Sequence, residues 1–140
     1  MREKQAGPFL VALIAAVLSA ACGGGAPGTD GLRESFANQL AANPAVNDVK
    51  QDGDEITFSG PAAEGGVGMW RITIDSAMVE PNNDQALPYK GTVTSSWYSG
   101  GQIVRQSGRE SNLPLELTSN GLGQSCWALW NSASSQWEWE

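Results

Sequence analysis

The spacing of apolar residues between positions 29 and 42 predicts one amphipathic helix. Apolar side chains recur there at the spacing of one face of an α-helix. The members of this face are Leu32, Phe36, Ala37, Leu40 and Ala41. We expect Thr29 or Asp30 to cap the start of the helix, because both carry a side-chain oxygen that can accept a free backbone N–H. Asn43-Pro44 is expected to end it.

The rest of the chain has the alternation of β-strands, with Gly, Pro and Asn between them. The predicted strands cover 46–50, 55–59, 69–80, 89–98, 102–106, 113–117, 125–131 and 136–140. Asp52-Gly53 is a strong hairpin signal between the first two. The apolar face of the third strand changes near Ser76, which predicts a β-bulge there. Pro114 would keep the strand at 113–117 on a sheet edge.

One helix followed by an antiparallel meander predicts an α+β fold, with the N-terminal helix packed on a curved antiparallel sheet. The order of elements is similar to cystatin-like folds, which share this layout. A mostly-β sandwich is the alternative. Fold alone implies no activity, because one layout serves many functions.

The N-terminus has the parts of an export signal. Arg2 and Lys4 precede an apolar run over 9–18, which is too short to span a bilayer. Leu18-Ser19-Ala20-Ala21-Cys22 then resembles the signal of bacterial lipoproteins. That resemblance implies cleavage before Cys22, lipidation of its thiol, and anchoring in the cell envelope, facing the periplasm or in the outer membrane.

The resemblance divides the chain into a signal peptide over 1–21, a Gly-rich tether over 22–28, and a single α+β domain over 29–140. Ser19 stands where lipoprotein signals usually carry an aliphatic residue. Cleavage after Ala21 by an ordinary signal peptidase, which would give a soluble secreted protein, is therefore the alternative.

The second cysteine, Cys126, lies among apolar residues. If Cys22 is lipidated, we expect Cys126 to be a buried and unreactive thiol. If Cys22 is not lipidated, a Cys22–Cys126 disulfide is the alternative in an oxidising compartment. A catalytic role for Cys126 is not favoured, since the chain contains no His to activate it.

Composition narrows the function classes. Without the signal peptide the net charge is −8, so phosphate backbones would be repelled and nucleic-acid binding is not expected. The absence of His excludes a Ser-His-Asp triad and His-ligated zinc. No phosphate loop or paired-cysteine motif is present, so we predict no metal, no cofactor and no enzymatic activity.

A second resemblance covers about thirty residues. Leu40-Ala41-Ala42-Asn43-Pro44-Ala45-Val46, followed by Asp52-Gly53 and Ile56-Thr57-Phe58-Ser59-Gly60, is similar to the opening of a BON domain. That family is associated with envelopes and phospholipid binding. Where the family has a second helix, this chain has a Gly-rich loop and the strand at 69–80. The similarity is therefore one of local pattern.

Six tryptophans are the remaining unusual feature, and four of them lie in the last fourteen residues. Alternation places Trp137 and Trp139 on one face of the last strand. Trp130 faces away from Trp127 and Leu129, so both faces of the preceding strand are apolar. The tryptophans either fill the core or form an exposed aromatic surface. The candidate binding residues are Trp130, Trp97 and Trp127.

These features predict a lipid-anchored envelope protein that acts as a binding or interaction module. Its expected partners are the membrane, through Cys22, and an envelope protein or a glycan. A structural lipoprotein of envelope assembly is the first alternative. The second is a glycan hydrolase that uses two carboxylates from Asp75, Glu80, Glu116 and Glu138.

Overall fold

The computed structural model describes residues 26–106, 113–118, 122 and 126–140. Its elements are α1 (Thr29–Ala41), β1 (Asn47–Asp52), β2 (Glu55–Pro61), β3 (Val67–Pro81), β4 (Tyr89–Ser99), β5 (Gln102–Gln106), α2 (Leu115–Thr118), β6 (Trp127–Asn131) and β7 (Gln136–Trp139). The fold is α+β and mostly sheet, as the sequence predicts. The predicted signal peptide, Cys22 and most of the predicted tether lie outside the described residues.

The described strands form one antiparallel sheet of seven strands, in the order β1-β2-β3-β4-β6-β7. One edge of β4 pairs with β3 along its length. The other edge pairs with β6 along the first half of the strand and with β5 along the second half. Helix α1 contacts β1 at one end of this order and β7 at the other. The sheet therefore curves around the helix. The alternative of a mostly-β sandwich is wrong, since it requires two packed sheets.

The face of α1 that the sequence predicts is buried against this sheet except at its last member, with Leu32, Phe36 and Leu40 fully buried and Ala41 exposed. The predicted N-cap is wrong. Gly28 holds the N-cap position without a side-chain hydrogen bond. Thr29 is already helical, and its Oγ1 accepts a hydrogen bond from Arg33 Nη1 at 3.1 Å.

Local turn signals predict the hairpins well. The first hairpin turns at Gly53-Asp54, one residue later than predicted, because Asp52 pairs with Glu55. Gly53 has a φ of 62°, which a type II′ turn requires at its first central position. The predicted bulge lies at Asp75, where the pairing of β3 with β4 shifts by one residue.

The strand predicted at 113–117 is wrong. Residues Leu115–Thr118 form a single helical turn, α2, in which Leu117 is fully buried and Leu115 is exposed. The turn is held by tertiary contact, because Asn43 Nδ2 donates to the Glu116 carbonyl oxygen at 2.8 Å.

The core between α1 and the sheet is built around three aromatic rings. Phe58 and Trp70 stack at a centroid distance of 5.9 Å, and Trp97 packs edge-on against both at 6.2 Å. The two indoles of this cluster have acceptors. Trp70 Nε1 donates to the Pro61 carbonyl and Trp97 Nε1 to Ser95 Oγ, each at 2.9 Å.

Candidate ligand-binding cleft

The C-terminal hairpin carries four of the tryptophans and has a defined register. Trp130 pairs with Trp137, and Ala128 pairs with Trp139. The side chains of these two pairs face the helix side of the sheet. The turn between β6 and β7 is closed by Asn131. Its Oδ1 accepts hydrogen bonds from the backbone N–H groups of Ala133 and Ser134, at 3.0 and 3.2 Å.

The hairpin is attached to helix α1 by its last strand. Trp139 Nε1 donates to Ser35 Oγ at 2.9 Å, and the Trp139 ring packs edge-on against Phe36 at 5.5 Å. Beneath this contact, the backbone of Gly91 in β4 leaves room for Leu32 and Trp137. A Cβ at position 91 would lie 2.6 Å from Leu32 Cδ1 and 3.0 Å from Trp137 Cζ3.

A cleft of about 320 Å³ lies between the hairpin and the solvent side of the helix. We call it the Trp130 cleft. Its lining residues are Glu34, Ser35, Asn38, Gln39, Trp130, Ser135, Gln136 and Trp137. Trp130 is half-buried, and its ring meets Trp137 edge-on at 5.2 Å. The cleft thus combines aromatic surface with amide, hydroxyl and carboxylate groups, the mixture typical of small-molecule sites.

Trp137, which lines this cleft, carries an unsatisfied polar group. The residue is more than nine-tenths buried, and its Nε1–H has no hydrogen-bond acceptor within the described part of the chain. Buried indole N–H groups usually have one. Trp70, Trp97 and Trp139 all do, at 2.9 Å. The Trp137 indole nitrogen is itself enclosed by protein atoms, so this donor is not open to the Trp130 cleft.

The structure places the three tryptophans that the sequence suggested as candidate binding residues in three different environments. The prediction of Trp97 as a binding residue is wrong, because its ring is fully buried in the aromatic core. Trp127 lies on the opposite face of the sheet from Trp130, and Lys90 Nζ covers its ring at 4.8 Å. Only Trp130 of the three lines the cleft.

Sequence reasoning missed the partners of Trp130. The signal was present, because the four residues 132–135 between the strands form a turn that sets Trp130 opposite Trp137. The helix residues that complete the cleft, Glu34 and Asn38, are one turn apart on the exposed side of α1. Their approach to the hairpin depends on the sheet's curvature, which local patterns do not specify.

Known proteins offer no further guide. Comparisons with protein-family models, curated proteins and solved structures gave no significant match. The functional argument therefore rests on the residues of this chain.

A second cleft, of about 540 Å³, lies between the start of α1 and the β1–β2 turn. Its only cation among the described lining residues, Arg33, is ion-paired. Arg33 Nε lies 2.8 Å from Asp54 Oδ1, without the alignment of a hydrogen bond, and Nη1 lies 3.5 Å from Asp30 Oδ1. None of the described residues that line this cleft has an apolar side chain, so the Trp130 cleft is the better candidate.

Cys126 is a buried free thiol, 3% exposed. Its Sγ–H donates to the Leu122 carbonyl oxygen at 2.7 Å. Burial raises the pKa of the thiol above its usual value of 9.0, although Arg105 opposes this shift. Arg105 is distant in sequence, so sequence reasoning missed this neighbour. A thiol that stays protonated is a poor nucleophile. The disulfide alternative involves Cys22, which lies outside the described residues.

The four carboxylates considered for glycan hydrolysis are all exposed, and none lines either cleft. Asp75, at the bulge, accepts hydrogen bonds from Ser96 Oγ at 2.7 Å and Thr73 Oγ1 at 3.3 Å. Hydrolysis needs two carboxyl groups facing one substrate. The structure lends this alternative no support.

Within the described residues, no cluster of three or more Cys, Asp or Glu side chains is arranged to hold a metal ion. None of the helices in those ranges has both the length and the apolar character needed to cross a bilayer.

Proposed function

We propose that this protein is an exported, lipid-anchored binding module of the cell envelope, and that the Trp130 cleft is its ligand site. The half-buried Trp130 ring in an open cleft of polar groups carries the binding part of this proposal. Aromatic rings flanked by hydrogen-bonding side chains provide both affinity and orientation in small-molecule sites.

The anchoring part rests on the leader pattern that ends at Cys22. The buried state of Cys126 supports it, because a thiol enclosed in the core is not available to pair with Cys22. The net negative charge also gives the domain no electrostatic affinity for anionic lipid. As part of the proposal we retain the similarity to cystatin-like folds, which the order of helix and antiparallel strands supports.

The binding part is tested with Trp130→Ala in a pull-down from detergent-solubilised envelope, followed by identification of the captured proteins and glycans. We expect the variant to lose a captured ligand that the unchanged protein retains. Trp127→Ala, on the opposite face of the same hairpin, is the matched control. Equal capture by both variants and by the unchanged protein would contradict a binding role for this cleft.

The anchor is tested by metabolic labelling with a radioactive or clickable palmitate. The unchanged chain should incorporate the label and fractionate with membranes. Cys22→Ala should lose both properties. An unlabelled, soluble and correctly exported chain would show instead that the protein is secreted.

A further inference from the structure

We propose that the Trp130 cleft binds a carbohydrate without negative charge. This inference rests on the binding role proposed above and specifies its ligand class. One face of a sugar ring would lie on the exposed part of the Trp130 indole. Its hydroxyls would contact Glu34, Asn38 and Gln136.

The polar rim of the cleft specifies part of the ligand. Glu34 can only accept hydrogen bonds when ionised, whereas the amides of Asn38 and Gln136 both donate and accept. A ligand that satisfies this rim needs donors and acceptors in close succession, as hydroxyl groups supply. Among the described residues, the lining contains a carboxylate and neither Lys nor Arg, in a chain of net charge −7. Phosphates and acidic sugars would therefore be disfavoured.

The aromatic surface completes the match. The face of an indole ring carries partial negative charge. The C–H groups on one face of a pyranose carry partial positive charge, and they pack well on such a ring. A sugar ring thus presents an apolar face to Trp130 and hydroxyls to the rim.

The test begins with the full chain, or its detergent-solubilised form, on a printed array of uncharged, cationic and anionic glycans. We expect binding to at least one uncharged or cationic glycan and none to the anionic set. The best soluble oligosaccharide is then titrated by calorimetry and by NMR. Its addition should shift the indole Nε1–H resonance of Trp130 and leave that of the buried Trp97 unchanged.

Three variants assign the contact. Trp130→Ala should weaken the best oligosaccharide about tenfold or more, as losing a central aromatic contact does. Trp127→Phe is the control and should leave affinity unchanged. Asn38→Ala covers the case in which Trp130→Ala fails to fold. Asn38 is exposed on α1 and Ala favours helix, so this variant should fold normally and still weaken binding.

An array without any bound uncharged or cationic glycan would overturn the inference. So would binding that leaves the Trp130 resonance unmoved, or an oligosaccharide affinity unaffected by Trp130→Ala. A protein or peptide captured from the envelope in a Trp130-dependent way, with an empty array, would refute the carbohydrate and leave the proposed binding role standing. Loss of neither kind of ligand in Trp130→Ala would refute both.

Discussion

Gly91 offers the sharpest test of how the helix, the sheet and the cleft fit together. In Gly91→Ala the new methyl group would lie 2.6 and 2.9 Å from the two terminal carbons of Leu32, and 3.0 Å from Trp137 Cζ3. Normal carbon contacts are about 3.5–4.0 Å, so Leu32 must retreat by about 1 Å. Leu32 is fully buried, so its side chain cannot retreat without displacing neighbouring core atoms.

Overpacking of this kind costs about 1–3 kcal/mol. For a domain of this length, that lowers the melting temperature by about 5–10 °C. The matched control is Gly31→Ala, which adds the same methyl group on α1 where no atom lies within 4 Å. Because Ala favours a helix over Gly, we expect this control to raise stability by about 0.5–1 kcal/mol.

Both variants can be measured by urea denaturation, followed by Trp fluorescence, and by thermal unfolding. The same added methyl group should thus lower the free energy of unfolding at position 91 and raise it at position 31. A Gly91→Ala protein as stable as the unchanged chain would refute the close approach of Leu32 and Trp137 to β4. It would also remove the structural basis for placing Trp137 at the cleft.

Two further outcomes follow from the core. Trp97→Ala should lower the free energy of unfolding by about 3–5 kcal/mol, since a fully buried ring is removed. Trp127→Ala should lower it by about 1 kcal/mol, since its ring is covered only by Lys90. Urea denaturation of both variants measures these costs, and equal costs would contradict the assignment of Trp97 to the core. Cys126 should resist iodoacetamide in the folded protein and react in urea, as mass spectrometry would show. Because the folded state raises the pKa of Cys126 above 9.0, the unfolded state releases its proton first as pH rises. The stability advantage of the unchanged chain over Cys126→Ala should therefore be complete below pH 9 and decline above it, and an advantage that grows with pH would contradict this.

Much of the sheet could be predicted from the sequence because its signals are local. Turns are specified by the backbone preferences of Gly53 and of the Gly100-Gly101 pair. The alternation of apolar and polar residues specifies strands β3 and β4. The errors lie where distant contacts decide. The alternation at 113–117 favours a strand, yet the contact of Asn43 with Glu116 holds a helical turn there.

The candidate site was only partly predictable, for the same reason. Alternation within β6 places Trp130 opposite in direction to Trp127, and that prediction is confirmed. Trp97 could not be assigned to the core from sequence, because both faces of β4 carry an aromatic residue there. Its burial depends on which face α1 covers. The Trp130 cleft itself depends on the curvature that brings the two ends of the sheet to one helix.

That arrangement has a consequence for the order in which the protein acquires its proposed activity. The hydrogen bond from Trp139 to Ser35 joins residues 104 positions apart, and the cleft lies beside it. Contacts that close so long a loop form slowly and late, after local hairpins such as β1–β2. During synthesis, Ser35 on the helix side of the cleft emerges 104 residues before Trp139 on the hairpin side. Ligand binding at Trp130 would therefore report that folding has reached completion, because a chain still lacking its last hairpin would have a partial core and no site.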